Sequence, residues 1–326
     1  MANLYPLKFE PIYKQKVWGG NKIKTILQHD YAPLPNCGEV WLVSGLAQQP
    51  SMVKNGFLKD NTLPELVEIY MADLVGEANY RNFGNEFPLL FKFINAEDFL
   101  SVQVHPNNRL AIDRHNALGK TELWYVLAAD QGAQLISGLL PHTEKHHYLQ
   151  HLQQKTLKDI LNYQSAATGD VFFVPAGLVH AIGPGTLLAE IQQSSDSTYR
   201  IYDWDRLPVD GIPRQLHTDL ALYAIQFDEP THKSHPSVLA NRPVLLQDSE
   251  FFTVSLFHLT HNLTLDYCEN DSFVVYLCIE GGFELISAGH SEMVSTGEAI
   301  LLPADTNEIQ IIPSPECKFI ETYIKA

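Results

Sequence analysis

Short stretches of alternating or continuous apolar residues, punctuated by Gly, Pro, Asn and Asp, run through most of this chain. Residues 39–44, 89–94, 123–127, 171–174 and 187–191 have this character, and 251–259, 273–279, 283–286 and 299–302 repeat it later. Runs of that length between turn formers predict strands, and so many of them predict a mainly β protein built as a sandwich or barrel. Three stretches carry helical spacing instead. Thr62 and Glu65 make a capping box with Pro64 in the first turn, which predicts a helix over 63–75. A short helix is predicted over 108–117, behind Pro106. Leu149, Leu152, Leu157, Ile160 and Leu161 share one face of 143–163, an amphipathic insert in one or two pieces.

Pro230, Pro236 and Pro243, with polar residues between them, mark a linker over 229–243. The chain then divides into a larger unit, 1–228, with helical insertions near 60–80 and 107–165, and an all-β unit, 244–326. Gly297-Glu-Ala-Ile-Leu-Leu-Pro-Ala304 echoes Gly169-Asp-Val-Phe-Phe-Val-Pro-Ala176, which predicts two copies of one β architecture in tandem. The second copy has no histidine at the place of His180, so its expected role is structural.

With 22 basic and 38 acidic side chains the net charge is −16. No basic block is present, which argues against nucleic acid as a partner. An anionic small molecule remains compatible, because a few inward cations act locally against an acidic background. Cys37, Cys268, Cys278 and Cys317 form no C-x-x-C pair and suit neither a zinc knuckle nor a disulfide framework. The first residues lack the layout of a signal peptide, and no apolar run approaches the roughly 20 residues that span a bilayer. A cytoplasmic protein without membrane contact is expected.

Four clusters carry candidate chemistry. In Leu100-Ser-Val-Gln-Val-His-Pro106, residues Ser101, Gln103 and His105 share one face of a strand while Val102 and Val104 point the other way. In Lys120-Thr-Glu-Leu-Trp-Tyr-Val-Leu127, Lys120 and Glu122 lead an apolar strand on one face. Gly169-Asp-Val-Phe-Phe-Val-Pro-Ala-Gly-Leu-Val-His180 reads as turn, buried strand, turn and a second strand opening on an imidazole. The fourth runs from Glu190 through Arg200 to Arg206. His142, His146, His147 and His151 lie together on the amphipathic insert, but no carboxylate or Cys shares their spacing, and a solvated helix face is expected.

The G-x5-P-x-G-x2-H spacing resembles the second motif of the cupin superfamily, whose histidine binds a metal. Q-x-H-P, then K-x-E, then that histidine, then E-x5-D-x3-R is similar to the type I phosphomannose isomerases. The string Tyr-Arg-Ile-Tyr-Asp-Trp-Asp-Arg206 resembles the short bacterial form of that family. Trp18-Gly-Gly, Gly38-Glu-Val-Trp-Leu-Val-Ser44 and Phe87-Pro-Leu-Leu-Phe-Lys92 look like its opening motifs. Longer members have K-P-E where Lys120-Thr-Glu122 stands, and their large helical domain is absent or reduced here.

The resemblance implies tandem cupin-type (jelly-roll) barrels and an isomerase interconverting mannose 6-phosphate and fructose 6-phosphate. It implies one divalent metal held by Gln103, His105, Glu122 and His180. That mixed nitrogen and oxygen set suits zinc, the first choice, and also iron or manganese. Arg200 is nominated as catalytic, Lys120 and Glu190 as the groups for proton transfer, and Ser101, Lys92 and Arg206 as phosphate ligands. Two rival readings are a cupin oxygenase with a two-histidine, one-carboxylate iron site, which would consume oxygen, and a sugar-binding cupin without turnover.

Overall fold

The computed structural model describes residues 4–206 and 213–325. It is mainly β. Strands β1 (Ile12–Lys14), β2 (Glu39–Ser44), β3 (Leu89–Ala96), β4 (Val102–Val104), β5 (Glu122–Ala129) and β6 (Gln134–Leu139) come first. Next come β7 (Leu161–Ser165), β8 (Val171–Val174), β9 (His180–Ala181), β10 (Thr186–Gln193), β11 (Tyr199–Tyr202) and β12 (His232–Ser234). They form two antiparallel sheets, β1-β2-β3-β10-β5-β8-β12 and β11-β4-β9-β6-β7. Beyond residue 243, β13 (Val244–Asp248), β14 (Thr253–Leu259), β15 (Leu263–Asp266), β16 (Val274–Ser287), β17 (His290–Ser295), β18 (Ala299–Leu302) and β19 (Glu308–Tyr323) make a third.

The long strands of the first sheet are buried on both faces, which is why they read as continuous apolar runs. On β3, Phe91 and Phe93 face one core while Ile94 faces another, with Lys92 between the two phenylalanines pointing to the Ile94 side. On β5, Leu123 and Tyr125 oppose Trp124 and Val126 in the same way. The outer core is shared with the third sheet. Val40, Phe91 and Phe93 belong to one cluster with Phe252, Val254, Phe273, Leu277 and Ile320. Leu7 and Leu301 clamp the two units together through reciprocal backbone hydrogen bonds of 2.8 and 2.9 Å.

A partly buried ion triad reinforces this junction. Lys8 Nζ and Lys54 Nζ each lie 2.8 Å from an oxygen of Glu298. Burial opposes the Glu298 charge, but the two lysines outweigh it and hold its carboxyl down at about 2. A depressed carboxyl stabilises the fold above the unfolded value near 4.5, and that contribution is lost as pH falls through about 2. Glu298→Gln is therefore expected to flatten the fall in stability between pH 4.5 and 2. The difference is at most about 3 kcal/mol, and denaturant titrations at stepped pH measure it. Parallel curves for the two proteins would refute this.

Several elements differ from the sequence reading. The capping box at Thr62 forms, with Glu65 Oε2 accepting from the Thr62 backbone at 2.8 Å. The helix α1 (Leu63–Tyr70) nonetheless stops early, because Met71 takes a left-handed φ of 47° before α2 (Ala72–Val75) begins. Region 107–165 is not one helical insertion. Only α3 (Asn108–His115), α4 (Lys145–Gln154) and a 3-10 turn at Leu157–Ile160 are helical, and β5 and β6 run between them as barrel strands. The segment read as a linker contributes β12, which extends the first sheet at β8.

The third sheet closes on an aromatic interior of Phe257, Tyr276, Phe283 and Phe319. Tyr267 links the Tyr276 hydroxyl and the Glu321 carboxyl there. No group of metal-ligating side chains occurs in it among the described residues. No helix of the described residues is long and apolar enough to cross a membrane.

Candidate active site

Strand pairing brings the sequence clusters together. In the second sheet Gln103 lies opposite His180 on one side and Arg200 on the other. Directly paired residues project from the same face, so Arg200, Gln103 and His180 form one rung. His105 follows β4, and Glu122 opens β5 in the first sheet, across the lumen. The turn before His180 explains its glycine. Gly177 has φ +99°, donates to the His105 carbonyl at 2.9 Å, and a Cβ there would meet the Gln226 side chain at 2.7 Å.

His105, Glu122 and His180 are all buried, with ligand atoms within 4.8 Å of one another. His105 Nδ1 lies 3.0 Å from the Ser197 carbonyl and His180 Nδ1 lies 2.8 Å from the Leu178 carbonyl. A carbonyl only accepts, so both Nδ1 atoms carry the proton and both Nε2 atoms present lone pairs. Those two Nε2 atoms face each other at 3.1 Å, and each lies 3.5 Å from a Glu122 oxygen. Glu122 Oε1 has no hydrogen-bond donor. Buried acceptors converging without a proton between them require a cation, and these separations suit neighbouring ligands on a metal at about 2.0–2.2 Å. Lys120 supplies a stand-in charge: its Nζ lies 2.5 Å from Glu122 Oε2 and 3.1 Å from His105 Nε2.

The electrostatics favour the metal-binding forms. Burial, then the Lys120 ammonium, push His105 down to about 3, and burial lowers His180 as well. Burial works against the Glu122 charge, but Lys120 and the two imidazoles outweigh it and hold the carboxyl well below its usual range.

A second rung crosses the first sheet. Trp41 pairs with Lys92, Lys92 with Glu190, and Glu190 with Trp124. Glu190 Oε2 accepts from the Trp124 indole at 2.9 Å. Its Oε1 lies 2.7 Å from Lys92 Nζ, an ion pair without good hydrogen-bond alignment, and 4.0 Å from Lys120 Nζ. Burial opposes the Lys92 charge, yet Glu190 and Glu39 hold its pKa above the ordinary lysine value.

Arg200 and Gln103 of one rung and Trp41, Lys92 and Glu190 of the other line one cavity of about 370 Å3. His105, Glu122 and His180 are not on its wall, and Lys120, which is, contacts His105 and Glu122 behind it. Of the residues expected from sequence, Lys92, Ser101, Gln103, Lys120, Glu190 and Arg200 lie on its wall. Arg200 Nη1 donates to the Gln215 carbonyl at 3.0 Å, while its buried Nε has no partner. Arg206 is not on the wall: its guanidinium binds the Phe99 carbonyl and pairs with Asp98 and Asp203. Sequence reasoning missed Lys14, Lys16, Glu39, Trp41 and Arg214, which do line it. Glu39 and Trp41 sit in an opening motif singled out from the sequence, but only the β2–β3 register shows that they reach the cavity. A larger neighbouring cavity of about 650 Å3 lies across the loop 194–199, and no Lys or Arg lines it. His146 and His147 sit exposed on α4, as a solvated face predicts.

Comparison with known proteins agrees with this geometry. The model of the type I phosphomannose isomerase catalytic domain matches residues 6–127, and that of the mannose-6-phosphate isomerase cupin domain matches 243–324. The mannose-6-phosphate isomerase ManA of Bacillus subtilis is 33% identical over 96% of this chain and 97% of its own. The mannose-6-phosphate isomerase of Streptococcus mutans is 33% identical over 91% and 92%. The crystal structure of the Bacillus subtilis mannose 6-phosphate isomerase superposes with a TM-score of 0.88 at 29% identity, covering 98% of this chain and 99% of that one. With relatives of that identity along nearly its whole length, and with the cupin fold and buried His–Glu–His group in place, the chain belongs to the type I phosphomannose isomerase family.

Proposed function

We propose that this protein interconverts mannose 6-phosphate and fructose 6-phosphate through a cis-enediol, in the cavity between the two rungs. The observation that carries the reading is the charge of that wall. Six cations (Lys14, Lys16, Lys92, Lys120, Arg200 and Arg214) face three carboxylates (Glu39, Glu190 and Asp196) in a chain whose net charge is −16. Such a local reversal of sign selects an anionic substrate. An oxygenase has no general need for it.

Gln103, His105, Glu122 and His180 would hold one divalent ion, for which we propose zinc. When bound, it supplies Lewis-acid polarisation of the sugar oxygens. The residues of this chain carry the remaining work. Moving a proton between C2 and C1 needs a base with a free lone pair, and Glu190 presents a carboxylate fixed by Trp124 and Lys92. Lys120 faces the same space with protons to donate, so we assign Glu190 to the carbon-bound proton and Lys120 to the adjacent oxygen. The buried, unpartnered Nε of Arg200 suits an enediolate oxygen. Burial and the neighbouring Arg214 and Arg206 lower its pKa from the usual arginine value.

For the phosphate, Ser101 offers a hydroxyl on the cavity wall. Lys92 is already paired with Glu190 at 2.7 Å, and Arg206 is tied to backbone and aspartates away from the wall. Arg214 is on the wall but its guanidinium is held by Asp203, so these placements favour Lys14 as the accompanying cation. The reading is tested by assaying the two sugar phosphates before and after chelation, with zinc restored. Activity that disappears with the metal and returns with zinc supports it. A metal-loaded protein that turns over neither sugar phosphate would overturn it.

A further inference from the structure

Four charges follow one another in alternating sign: the partly exposed Lys16, then the buried Glu39, Lys92 and Glu190. Lys16 Nζ lies 2.9 Å from Glu39 Oε1, and Glu39 Oε2 accepts from the Trp41 indole at 2.7 Å. Lys92 stands next, over the Trp41 ring at 5.6 Å and 2.7 Å from Glu190. Glu39, Lys92 and Glu190 are all less than a tenth exposed. Charges so buried persist only while each is balanced by its neighbours. Here the balance runs along the row, with Trp41 and Trp124 pinning an oxygen of each carboxylate.

We propose that Glu39, fixed on the Trp41 indole beside Lys92, is a positioning residue for the isomerisation, balancing Lys92 against Glu190 so that Glu190 keeps its line to the substrate. The proposal rests on Glu190 being the group that takes the carbon-bound proton. Glu39 touches neither Glu190 nor the ligand cluster and acts through Lys92. Without its charge, two ammonium groups face one carboxylate. Lys92, already 2.7 Å from Glu190, is then balanced by Glu190 alone, and its stronger pull draws the Glu190 carboxylate off the Trp124 indole. Burial opposes the Glu39 charge as well, but Lys92 and Lys16 outweigh it and hold that carboxyl at about 2, so Glu39 is charged throughout the neutral range.

The test is steady-state kinetics of the metal-loaded holoenzyme carrying Glu39→Gln, with metal content and thermal midpoint measured alongside. A geometric error of this kind lowers kcat by roughly 10- to 100-fold. KM should stay within about twofold and metal content should not change, since only an interaction of the transition state is lost. Glu39→Asp, which keeps the charge, should recover most of the loss. In a Glu190→Gln background the same substitution should cost almost nothing further, because the group it positions is gone.

A rise in KM with kcat intact would make Glu39 a substrate contact and overturn the proposal. So would a full additional loss on top of Glu190→Gln. If Glu39→Gln does not fold, Trp41→Phe removes only the N–H that pins Glu39, and an unchanged kcat there would be equally fatal. The two layers separate cleanly. Unimpaired Glu190→Gln sinks the base assignment, whereas impaired Glu190→Gln beside wild-type Glu39→Gln sinks the relay alone.

Discussion

Glutamine in place of His180 is expected to give a folded protein that retains no stoichiometric metal and has lost almost all turnover. Lewis-acid stabilisation at a reacting oxygen is worth several kcal/mol, so kcat should fall by a factor of about 1000 or more. The geometry makes His180 the sensitive choice. Its Nε2 is one of the acceptors that meet without a proton between them, and its Nδ1 is fixed by the Leu178 carbonyl. Glutamine keeps bulk and polarity in a buried position, so the deficit reports on the site more than on packing. Metal analysis after gel filtration, with excess zinc in the assay, separates loss of affinity from loss of function. A variant that holds metal and turns over normally would remove His180 from the centre.

A comparable loss is expected for Glu190→Gln, through a different step. General base catalysis contributes roughly 100- to 10,000-fold, and the amide has no lone pair basic enough to replace it. KM should move little and metal content should not change. Lys120→Met makes the informative partner. Lys120 lies 4.0 Å from Glu190 and 2.5 Å from Glu122, so it borders both the proton-transfer group and the ligand cluster. If Glu190 is the base, exchange of the substrate C2 proton with deuterated solvent persists at a measurable rate in Lys120→Met and vanishes in Glu190→Gln. The reverse pattern would exchange their roles.

Much of this was legible before any coordinates. Strands buried on both faces announce themselves as apolar runs, and the spacing around Gly177 and His180 is set by a turn that only glycine fits. His105, Glu122 and His180 are nominated by the resemblance of Q-x-H-P, K-x-E and the glycine-turn histidine to the family's motifs, and the structure brings these three side chains together. What the sequence could not carry was register. Trp41, Lys92, Glu190 and Trp124 are scattered over 150 positions, and only antiparallel pairing aligns them in one rung. Arg206 failed to reach the cavity for a related reason. Its offset from Arg200 was right, but the chain turns at Trp204 and Asp205, both at positive φ, and carries the guanidinium towards Phe99. Within the insertion bounded at 107–165, the run 123–127 reads as a strand and is one, but β6 is passed over because the His- and Gln-rich stretch after it stands out more.

The core that Phe91 and Phe93 share with Phe252 and Ile320 bears on how such a protein can change over time. The strands that carry Lys92 and Glu190 are supported from behind by side chains belonging to the C-terminal barrel. That barrel serves as the foundation of the other. Neither half can be exchanged for a foreign barrel without a matching apolar face. The pair, and not the single barrel, is therefore the piece that gene shuffling could move, and drift in either half is constrained by the other.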